Sequence, residues 1–469
     1  MKSTRREFLA KTGLAGTGLM AASFLRGATA PAAAPGAAAP LRASGARQQH
    51  FNMCGYAAPK LETVRIGLIG VGSRGSGALP RHRVIDGVEI KALCDIRPER
   101  IAVGLKALEG TAHKPQTYTG SEDAWKKVCE RDDIDVIYNC TPWPLHAPIS
   151  VYAMEHGKHA FSEIPAAVNM DEAWQLVETS ERTKKHYMML ENCCYDFFEL
   201  LTLNMAQQGF FGEIVHGEGA YLHNLMALNF SKNYYHDMWR LKQNGARNGN
   251  LYPMHGLGPI AQIMNINRGD RLDYLVSVQS NDFQMGKMAD ELAAKDPFYA
   301  HYAGKKYRGN MNSTTIRTVN GRTILVQHDV TSTRPYSRIH TVVGTKGCAQ
   351  KWPEPARIAT SHDGWLKPEE VKKLEEKYTF DLVKQIGATA RKVGGHGGMD
   401  FMMDWRWVSL LRHGLPLDMD VYDGAAWTAV GLLSETSVAN RSNSVDLPDF
   451  TGGSWKTNKP VNLSTKHKV

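Results

Sequence analysis

The sequence has few cysteines for its length, and none of them are spaced like metal ligands or like a disulfide framework. The seven cysteines are scattered irregularly over 469 residues, and no Cys-x-x-Cys pair occurs. This pattern argues against a zinc ribbon and against a small disulfide-stapled fold. No His-Glu-x-x-His or comparable ligand spacing is present either. We therefore expect no metal site.

Blocks of like charge and long apolar runs are also missing. The 56 Lys and Arg exceed the 47 Asp and Glu, but they neither cluster nor alternate with aromatic residues, which argues against nucleic-acid binding. The apolar stretch 13–25 is too short and too rich in Gly and Ala to remain as a membrane span. The remaining composition is that of a globular protein, whose length suggests two or three domains of roughly 100–200 residues.

The first thirty residues have the features of a twin-arginine export signal. The motif of residues 4–9, with Arg5-Arg6 at its centre, is followed by the apolar stretch and by a small-residue cleavage site at 28–30. We expect a signal peptide over 1–30, an Ala/Pro-rich linker over 31–60, and a periplasmic or secreted mature protein. This route moves folded proteins, so a cofactor would have to travel with the chain.

A glycine-rich turn after residue 69 indicates a dinucleotide-binding domain. The apolar strand 64–69 runs into a complete Gly-x-Gly-x-x-Gly pattern that opens a predicted helix. In that context Gly70 makes the tight turn, Gly72 admits the pyrophosphate, and Gly75 lets the helix pack on the strand. The helix N-terminus then faces the phosphates with free N–H groups.

An acidic residue follows the second strand at the position that contacts an adenosine ribose. Asp95 lies twenty residues after Gly75 and favours NAD over NADP, although Arg97 stands close by. The alternative is that Asp95 merely caps the next helix. Further strands over 134–140 and up to Phe161 alternate with helices, which predicts a doubly wound parallel sheet in a Rossmann domain over 61–190.

The second half, 191–469, has the pattern of an α+β domain. Runs at 214–221, 314–318, 323–330 and 339–343 read as strands, and a hairpin signal separates two of them. We expect a mainly antiparallel, open-faced sheet with helices on one face. Asp423 is expected to cap a helix over 423–434. Several clusters of Tyr, Trp, His and Arg in this half are typical of a sugar site.

Dispersed motifs make the chain similar to a known family. The layout resembles the Gfo/Idh/MocA oxidoreductases, but Glu163-Ile164-Pro165 stands where those enzymes show Glu-Lys-Pro with a catalytic lysine. The narrower resemblance is to glycoside hydrolase family 109, the NAD-dependent α-N-acetylgalactosaminidases. It rests on the segments 141–146, 190–195, 252–256, 334–336, 396–400 and 447–451.

The resemblance implies one tightly bound NAD per chain, a glycan substrate with terminal N-acetylgalactosamine, and a set of contact residues. The residues implied for NAD, beyond the three glycines, are Ser73, Arg74, Asp95, Trp143, Pro144, Leu145, His146, Glu163, Ile164 and Asn192. Those implied for the sugar are Tyr221, Arg240, Tyr252, Pro253, Met254, His255 and Tyr336.

The reaction implied by the family is an oxidation at C3 of the sugar, an elimination across C1 and C2, and a return of the hydride. It needs a base, and Tyr195 and His255 are the candidates. One alternative is a periplasmic sugar oxidoreductase with retained NAD(P), which Ile164 argues against. A catalytically inactive sugar-binding protein is a third reading, and the intact glycine turn argues against it. The sequence leaves open whether identical chains assemble.

Overall fold

The computed structural model describes residues 48–463. The predicted signal peptide and the linker up to residue 47 lie outside this range. Within it, no helix is long and apolar enough to cross a membrane. The linker prediction was wrong for its last part: Met53 is 2% exposed and donates its backbone N–H to the Tyr422 hydroxyl at 3.2 Å. The Tyr422 side chain in the C-terminal half thus holds this segment. The local composition of the segment does not reveal such a long-range contact.

The first sheet has six parallel strands in the order β3-β2-β1-β4-β5-β6. Its central strands are buried on both faces: the consecutive residues Val136, Ile137 and Tyr138 are all fully covered. This explains their near-continuous apolar sequence. The doubly wound prediction is confirmed. The strands are β1 (Val64–Ile69), β2 (Val88–Cys94), β3 (Gln116–Tyr118), β4 (Val136–Asn139), β5 (His159–Ser162) and β6 (Tyr187–Met189).

Helices alternate with these strands, as the βαβ pattern requires. They are α1 (Ser73–His82), α2 (Pro98–Ala107), α3 (Ala124–Cys129), α4 (His146–Glu155), α5 (Met170–Thr183) and, after β6, α6 (Phe197–Gln207).

The second sheet has eight strands in the order β13-β12-β11-β7-β10-β9-β8-β14. It is antiparallel except for the pair β7 and β10, which run parallel. The strands are β7 (Ile214–Leu222), β8 (Leu272–Gln279), β9 (Asn312–Thr318), β10 (Thr323–Asp329), β11 (Thr341–Gly344), β12 (Cys348–Gln350), β13 (Arg357–Ala359) and β14 (Val445–Asp446). The helices of this half are α7 (Met226–Asn229), α8 (Trp239–Ala246), α9 (Met254–Ile263), α10 (Met285–Ala293), α11 (Pro368–Tyr378), α12 (Asp381–Val393), α13 (Met399–His413) and α14 (Val421–Ala439).

The C-terminal helices cross the expected boundary at residue 190. α13 packs on α1 and β1, and α14 packs on α5 and β6. Buried apolar residues from both halves form one continuous core. The two sheets therefore belong to one compact unit.

Helix α14 begins earlier than the sequence suggested. Asp420, and not Asp423, is its N-cap, and accepts from the backbone N–H of Tyr422 and Asp423. The Asp423 carboxylate in turn accepts from the backbone N–H of Asp420, which completes a capping box. Arg268 pairs with both carboxylates, so the two acids share one buried cation.

Two glycines set the distance between α9 and β7. A Cβ on Gly219 would lie 2.3 Å from the Gly256 carbonyl oxygen, and one on Gly256 would lie 2.1 Å from the Ala220 nitrogen. The backbones thus touch where β7 ends and α9 begins, and this contact brings Tyr221 and His255 together.

Gly256→Ala is expected to destabilise the protein by about 1–3 kcal/mol through overpacking, although alanine normally favours a helix over glycine. Urea unfolding measures this. Gly77→Ala in α1 is the control, since its Cβ would meet only the end of Arg81 at 3.9 Å. Equal stability of both variants would contradict the close approach.

Candidate functional site

A cavity of about 340 Å³ opens between the carboxyl edge of the first sheet and the wall formed by β7, α8 and α9. This is where ligands bind in open α/β sheets. The predicted residues that line it are Gly70, Gly72, Ser73, Arg74, Asp95, Trp143, Leu145, His146, Glu163, Ile164, Asn192, Tyr221, Arg240, Tyr252 and His255. Residues predicted for the cofactor and residues predicted for the sugar therefore meet in one space.

The glycine turn has the shape of a phosphate cradle. Gly70 has a φ of +86°, and a Cβ there would lie 2.7 Å from the Cys140 carbonyl. A Cβ on Gly75 would lie 1.9 Å from the Gly70 oxygen, so this residue packs the helix and does not line the cavity. Around Gly72 the nearest atom to such a Cβ is 3.9 Å away, which leaves room for a pyrophosphate over the N-terminus of α1. The residues present fit a dinucleotide.

Asp95 is held at the cavity by backbone donors. Its carboxylate accepts from the N–H of Val71 at 2.8 Å and of Arg97 at 3.0 Å. Helix α2 starts at Pro98 with Arg97 in the N-cap position, so Asp95 is not the cap of that helix. The carboxylate is presented to a ligand by the same turn that forms the cradle.

Asp400 connects three of the residues predicted for NAD. It accepts from Arg74 Nη1 at 3.2 Å and from Asn192 Nδ2 at 2.5 Å, while Arg74 Nε donates to Glu163 at 2.8 Å. Burial alone would raise the pKa of Asp400, but Arg74 and a hydrogen bond from His396 hold this pKa well below its usual range. An ionised carboxylate from α13 thus orients cofactor-side residues of the first half.

His146 ties two loops of the cofactor side together. Its Nδ1 lies 2.7 Å from the Pro165 carbonyl oxygen and its Nε2 lies 2.8 Å from that of Thr141. Burial lowers the pKa of His146. Ile164, at the position where the resemblance expects a lysine, is 2% exposed and lines the cavity.

Aromatic rings and one arginine form the opposite wall. The Arg240 guanidinium lies 5.2 Å from the Trp143 ring, 4.8 Å from Tyr252 and 5.6 Å from Tyr235, and it donates to the Tyr235 hydroxyl at 3.1 Å. Tyr221 and Tyr252 contact each other with ring centroids 4.8 Å apart. The wall thus offers apolar ring faces beside hydroxyl and guanidinium groups, an arrangement that suits a sugar ring.

His255 stands in the first turn of α9 with a fully buried carboxylate behind it. Its Nδ1 lies 2.8 Å from Glu191 Oε1, and the same oxygen accepts from the Cys193 backbone. The carboxylate selects the tautomer with the proton on Nδ1, so Nε2 is the ring nitrogen available to a ligand. Sequence reasoning missed Glu191, although its place after β6 and beside Asn192 was a usable signal.

Tyr195 does not belong to this cavity, which corrects its prediction as a base. It is 1% exposed, and its hydroxyl donates to Asp418 at 3.1 Å. Asp418 also pairs with Arg406, and burial raises the pKa of Tyr195 well above its ordinary value. The turn Asn192–Tyr195 directs Asn192 to the cavity and Tyr195 into the core, so Tyr195 has a structural role.

Four other predicted residues do not line the cavity. Pro253 and Met254 lead into α9 and position His255, and Tyr336 lies behind His223 with ring centroids 5.0 Å apart. Pro144 likewise does not contribute to the lining. The cavity contains residues that were not predicted as contacts, although several fall in aromatic clusters of the sequence: His223, Tyr234, Tyr235, His236, Trp239 and His396.

Three potential metal ligands also meet here among the described residues. One ligand atom each of Glu191, Cys193 and His255 lies within 4.8 Å of the others. Burial raises the pKa of the Cys193 thiol well above its ordinary value. Hydrogen bonds from His255 and from the Cys193 backbone N–H to the same Glu191 oxygen bring the three residues together.

Comparison with known proteins identifies the family. Residues 195–457 match the description "Glycosyl hydrolase 109, C-terminal domain", and residues 64–191 match "Oxidoreductase family, NAD-binding Rossmann fold". A glycosyl hydrolase family 109 protein of Shewanella pealeana is 45% identical over 99% of both chains. The chain belongs to glycosyl hydrolase family 109.

A second relative and two solved structures are also similar to the family 109 chain. An alpha-N-acetylgalactosaminidase of Bacteroides fragilis is 49% identical over 86% of this chain and 96% of its own. Levoglucosan dehydrogenase with NADH and L-sorbose has a TM-score of 0.62 at 18% identity, over 83% of this chain and all of its own. Scyllo-inositol dehydrogenase from Lactobacillus casei with NAD(H) has a TM-score of 0.57 at 14% identity, over 82% and 99%. The two structures share the fold.

Asp95→Ala is expected to weaken NAD binding about 10- to 100-fold, because a carboxylate on ribose hydroxyls is a charge-assisted contact of roughly 1.5–3 kcal/mol. Nucleotide released from denatured protein, compared with wild type, measures this. Melting curves in excess NAD control for folding. Unchanged nucleotide content would show that Asp95 serves only the turn.

Tyr195→Phe is expected to lower the free energy of unfolding by about 0.5–1.5 kcal/mol through loss of one buried hydrogen bond. Turnover should stay near wild type because the ring does not reach the cavity. Denaturant unfolding and steady-state kinetics on the same preparation test both statements. A loss of turnover of about 10²-fold or more, the effect of removing a catalytic base, would contradict the placement.

Proposed function

We propose that this family 109 enzyme hydrolyses terminal α-N-acetylgalactosaminides with NAD bound in the cavity. The observation that carries the proposal is that one cavity joins the phosphate cradle to a wall containing the Glu191–His255 pair. The relative from Bacteroides fragilis named as an alpha-N-acetylgalactosaminidase supports the sugar and the anomer. The glycine turn, Asp95, and Arg74 with its partner Glu163 would hold the cofactor.

The bound cofactor accounts for a hydrolase with a Rossmann domain. NAD⁺ held there would supply an acceptor for the hydride at C3 of the sugar and a donor for its return; the C3 hydroxyl proton would be lost as the ketone forms and regained when the hydride returns, so no net oxidation results. A ketone at C3 makes the proton at C2 acidic. Removing that proton allows the glycosidic oxygen to leave from C1, and water then adds to the double bond. The family is an exception to hydrolysis by two carboxylates.

His255 is the base in this proposal. Glu191 accepts its Nδ1 proton, so the lone pair of Nε2 is free for the substrate. The buried carboxylate also stabilises the imidazolium that forms when the proton is taken. Tyr221 and Tyr252 are less suited as bases, because burial raises the pKa of Tyr221 to about 12 and that of Tyr252 well above its ordinary value.

Ile164 favours this reaction over that of a sugar oxidoreductase. The side chain at this position lines the cavity but cannot accept or donate a proton, whereas the dehydrogenases that the fold resembles are expected to use a lysine there. Proton transfer therefore falls to groups on the opposite wall.

Export with a retained cofactor is consistent with this chemistry. The signal predicted over residues 1–30 sends folded protein to the periplasm or beyond. A cofactor that returns its hydride in each cycle needs no external supply. One NAD held per chain is therefore sufficient for continued turnover.

The mechanism predicts exchange at C2. In D₂O the product should carry deuterium at C2, because His255 exchanges its proton with solvent between removal and return. NMR of the released sugar measures the label. Retention of hydrogen at C2 in the wild-type product would exclude the elimination.

His255→Ala should reduce turnover by about 10²–10⁴-fold, the range for loss of a positioned base, with NAD still bound. Nucleotide content and initial rates on a chromogenic aryl N-acetylgalactosaminide test this. His216→Ala, on β7 but outside the cavity lining, is the matched control. Full activity of His255→Ala would remove it from the mechanism.

A further inference from the structure

The segment 231–238, between α7 and α8, reaches the glycine turn of the first half. The Tyr234 hydroxyl lies 3.4 Å from the Oγ of Ser73, and Ser73 is the first residue of α1. Both side chains line the cavity. Because Tyr234 belongs to the second half of the chain and Ser73 to the first, this contact joins the two halves beside the phosphate cradle.

Contacts on both sides of Tyr234 fix the segment in place. The ammonium group of Lys232 pairs with Asp296 at 2.5 Å. The Tyr235 hydroxyl accepts from Arg240 at 3.1 Å, and Arg240 is itself buried in the aromatic wall of the cavity. The position of Tyr234 is therefore set by both neighbours, in addition to its own contact with the first half.

The end of the segment is an enforced turn. Asp237 and Met238 have left-handed φ values of +53° and +49°, and both stand immediately before α8. A left-handed conformation is unfavourable for a residue with a Cβ and persists where the surroundings enforce it. The Met238 side chain, which is 1% exposed, supplies that constraint by packing in the core.

Tyr234 is an exposed aromatic residue whose polar end meets the cradle. The residue is 43% exposed, but its hydroxyl stands at the N-terminus of α1, where free backbone N–H groups suit a pyrophosphate. The distance of 3.4 Å to the Ser73 hydroxyl is longer than an ordinary O–H···O hydrogen bond. Each hydroxyl has a proton to donate, so one phosphate group bound beside them would satisfy both.

We propose that the Tyr234 hydroxyl donates to the pyrophosphate of bound NAD, and that the segment 231–238 acts as a strap that slows release of the cofactor. This role rests on the proposed function, in which one NAD stays with the chain through many turnovers. The cradle and Asp95 belong to the first half of the chain. With Tyr234 added, release of NAD requires that contacts to both halves are broken.

The test measures how fast NAD leaves the protein. Wild type, Tyr234→Phe and Tyr234→Ala, each loaded with NAD labelled in the adenine ring, are diluted into excess unlabelled NAD, and the label that stays with the protein is counted after gel filtration at successive times. We expect both variants to release the label about 10- to 100-fold faster than wild type, the factor that corresponds to a hydrogen bond to a charged group. Phe283→Ala is the matched control and should release at the wild-type rate, since Phe283 is 58% exposed outside the cavity lining.

Release from Tyr234→Phe at the wild-type rate would overturn the phosphate contact, because this variant lacks only the hydroxyl. Melting curves in excess NAD verify that each variant is folded. Wild-type protein that binds no labelled NAD would contradict the proposed function and the strap together. Wild-type protein that retains the label, with equal retention by Tyr234→Phe, would contradict the strap alone.

Discussion

The ion pair between Arg74 and Asp400 is the contact on which the cavity depends. Arg74 lies within the glycine-rich pattern, in the first turn of α1, and Asp400 lies in the first turn of α13, 326 residues later in the chain. Because Asp400 is buried, its charge has to be compensated, and two arginines of α1 compensate it: Arg74 at 3.2 Å and Arg81 at 3.6 Å. Arg81 and Asp404 form a second ion pair at 2.6 Å, two turns further along α1 and one turn further along α13. Together these pairs hold α13 on α1, and with it the segment that carries His396.

The opposite wall is positioned by backbone contact instead of charge. Gly219 and Gly256 let α9 touch β7, and the residues that follow β7 and open α9 form the wall. Arg240 adds a cation among three aromatic rings. The cofactor side thus depends on ion pairs, and the sugar side depends on close backbone packing. Both sides belong to one continuous core, which brings them together around the cavity.

Much of the first half could be predicted because its signals are local. The apolar strand, the glycine turn and Asp95 lie within about thirty residues, and the geometry of a βαβ unit relates them directly. The second half was harder. The parallel pairing of β7 with β10 joins strands separated by α7 to α10, β8 and β9 along the chain, and no pattern within either strand specifies its neighbour. The start of α14 was also missed, because Asp420 and Asp423 are both good cap residues and their shared partner Arg268 lies far back in the sequence.

In the candidate site, too, local motifs could be predicted from the sequence and long-range contacts could not. Residue type and short spacing predicted the cradle and pointed to clusters of Tyr, Trp, His and Arg, whereas the individual sugar contacts and His255 came from the family resemblance. Which acids stand behind the histidines depended on folding, because Glu191 is 64 residues from His255 and the order of a chain does not reveal such distances in space. Tyr195 is the clearest case: its neighbours in sequence suggested a catalytic tyrosine, but Asp418, 223 residues away, binds its hydroxyl in the core. A side chain's chemistry is set by its own atoms, whereas its role is set by which distant groups the fold packs against it.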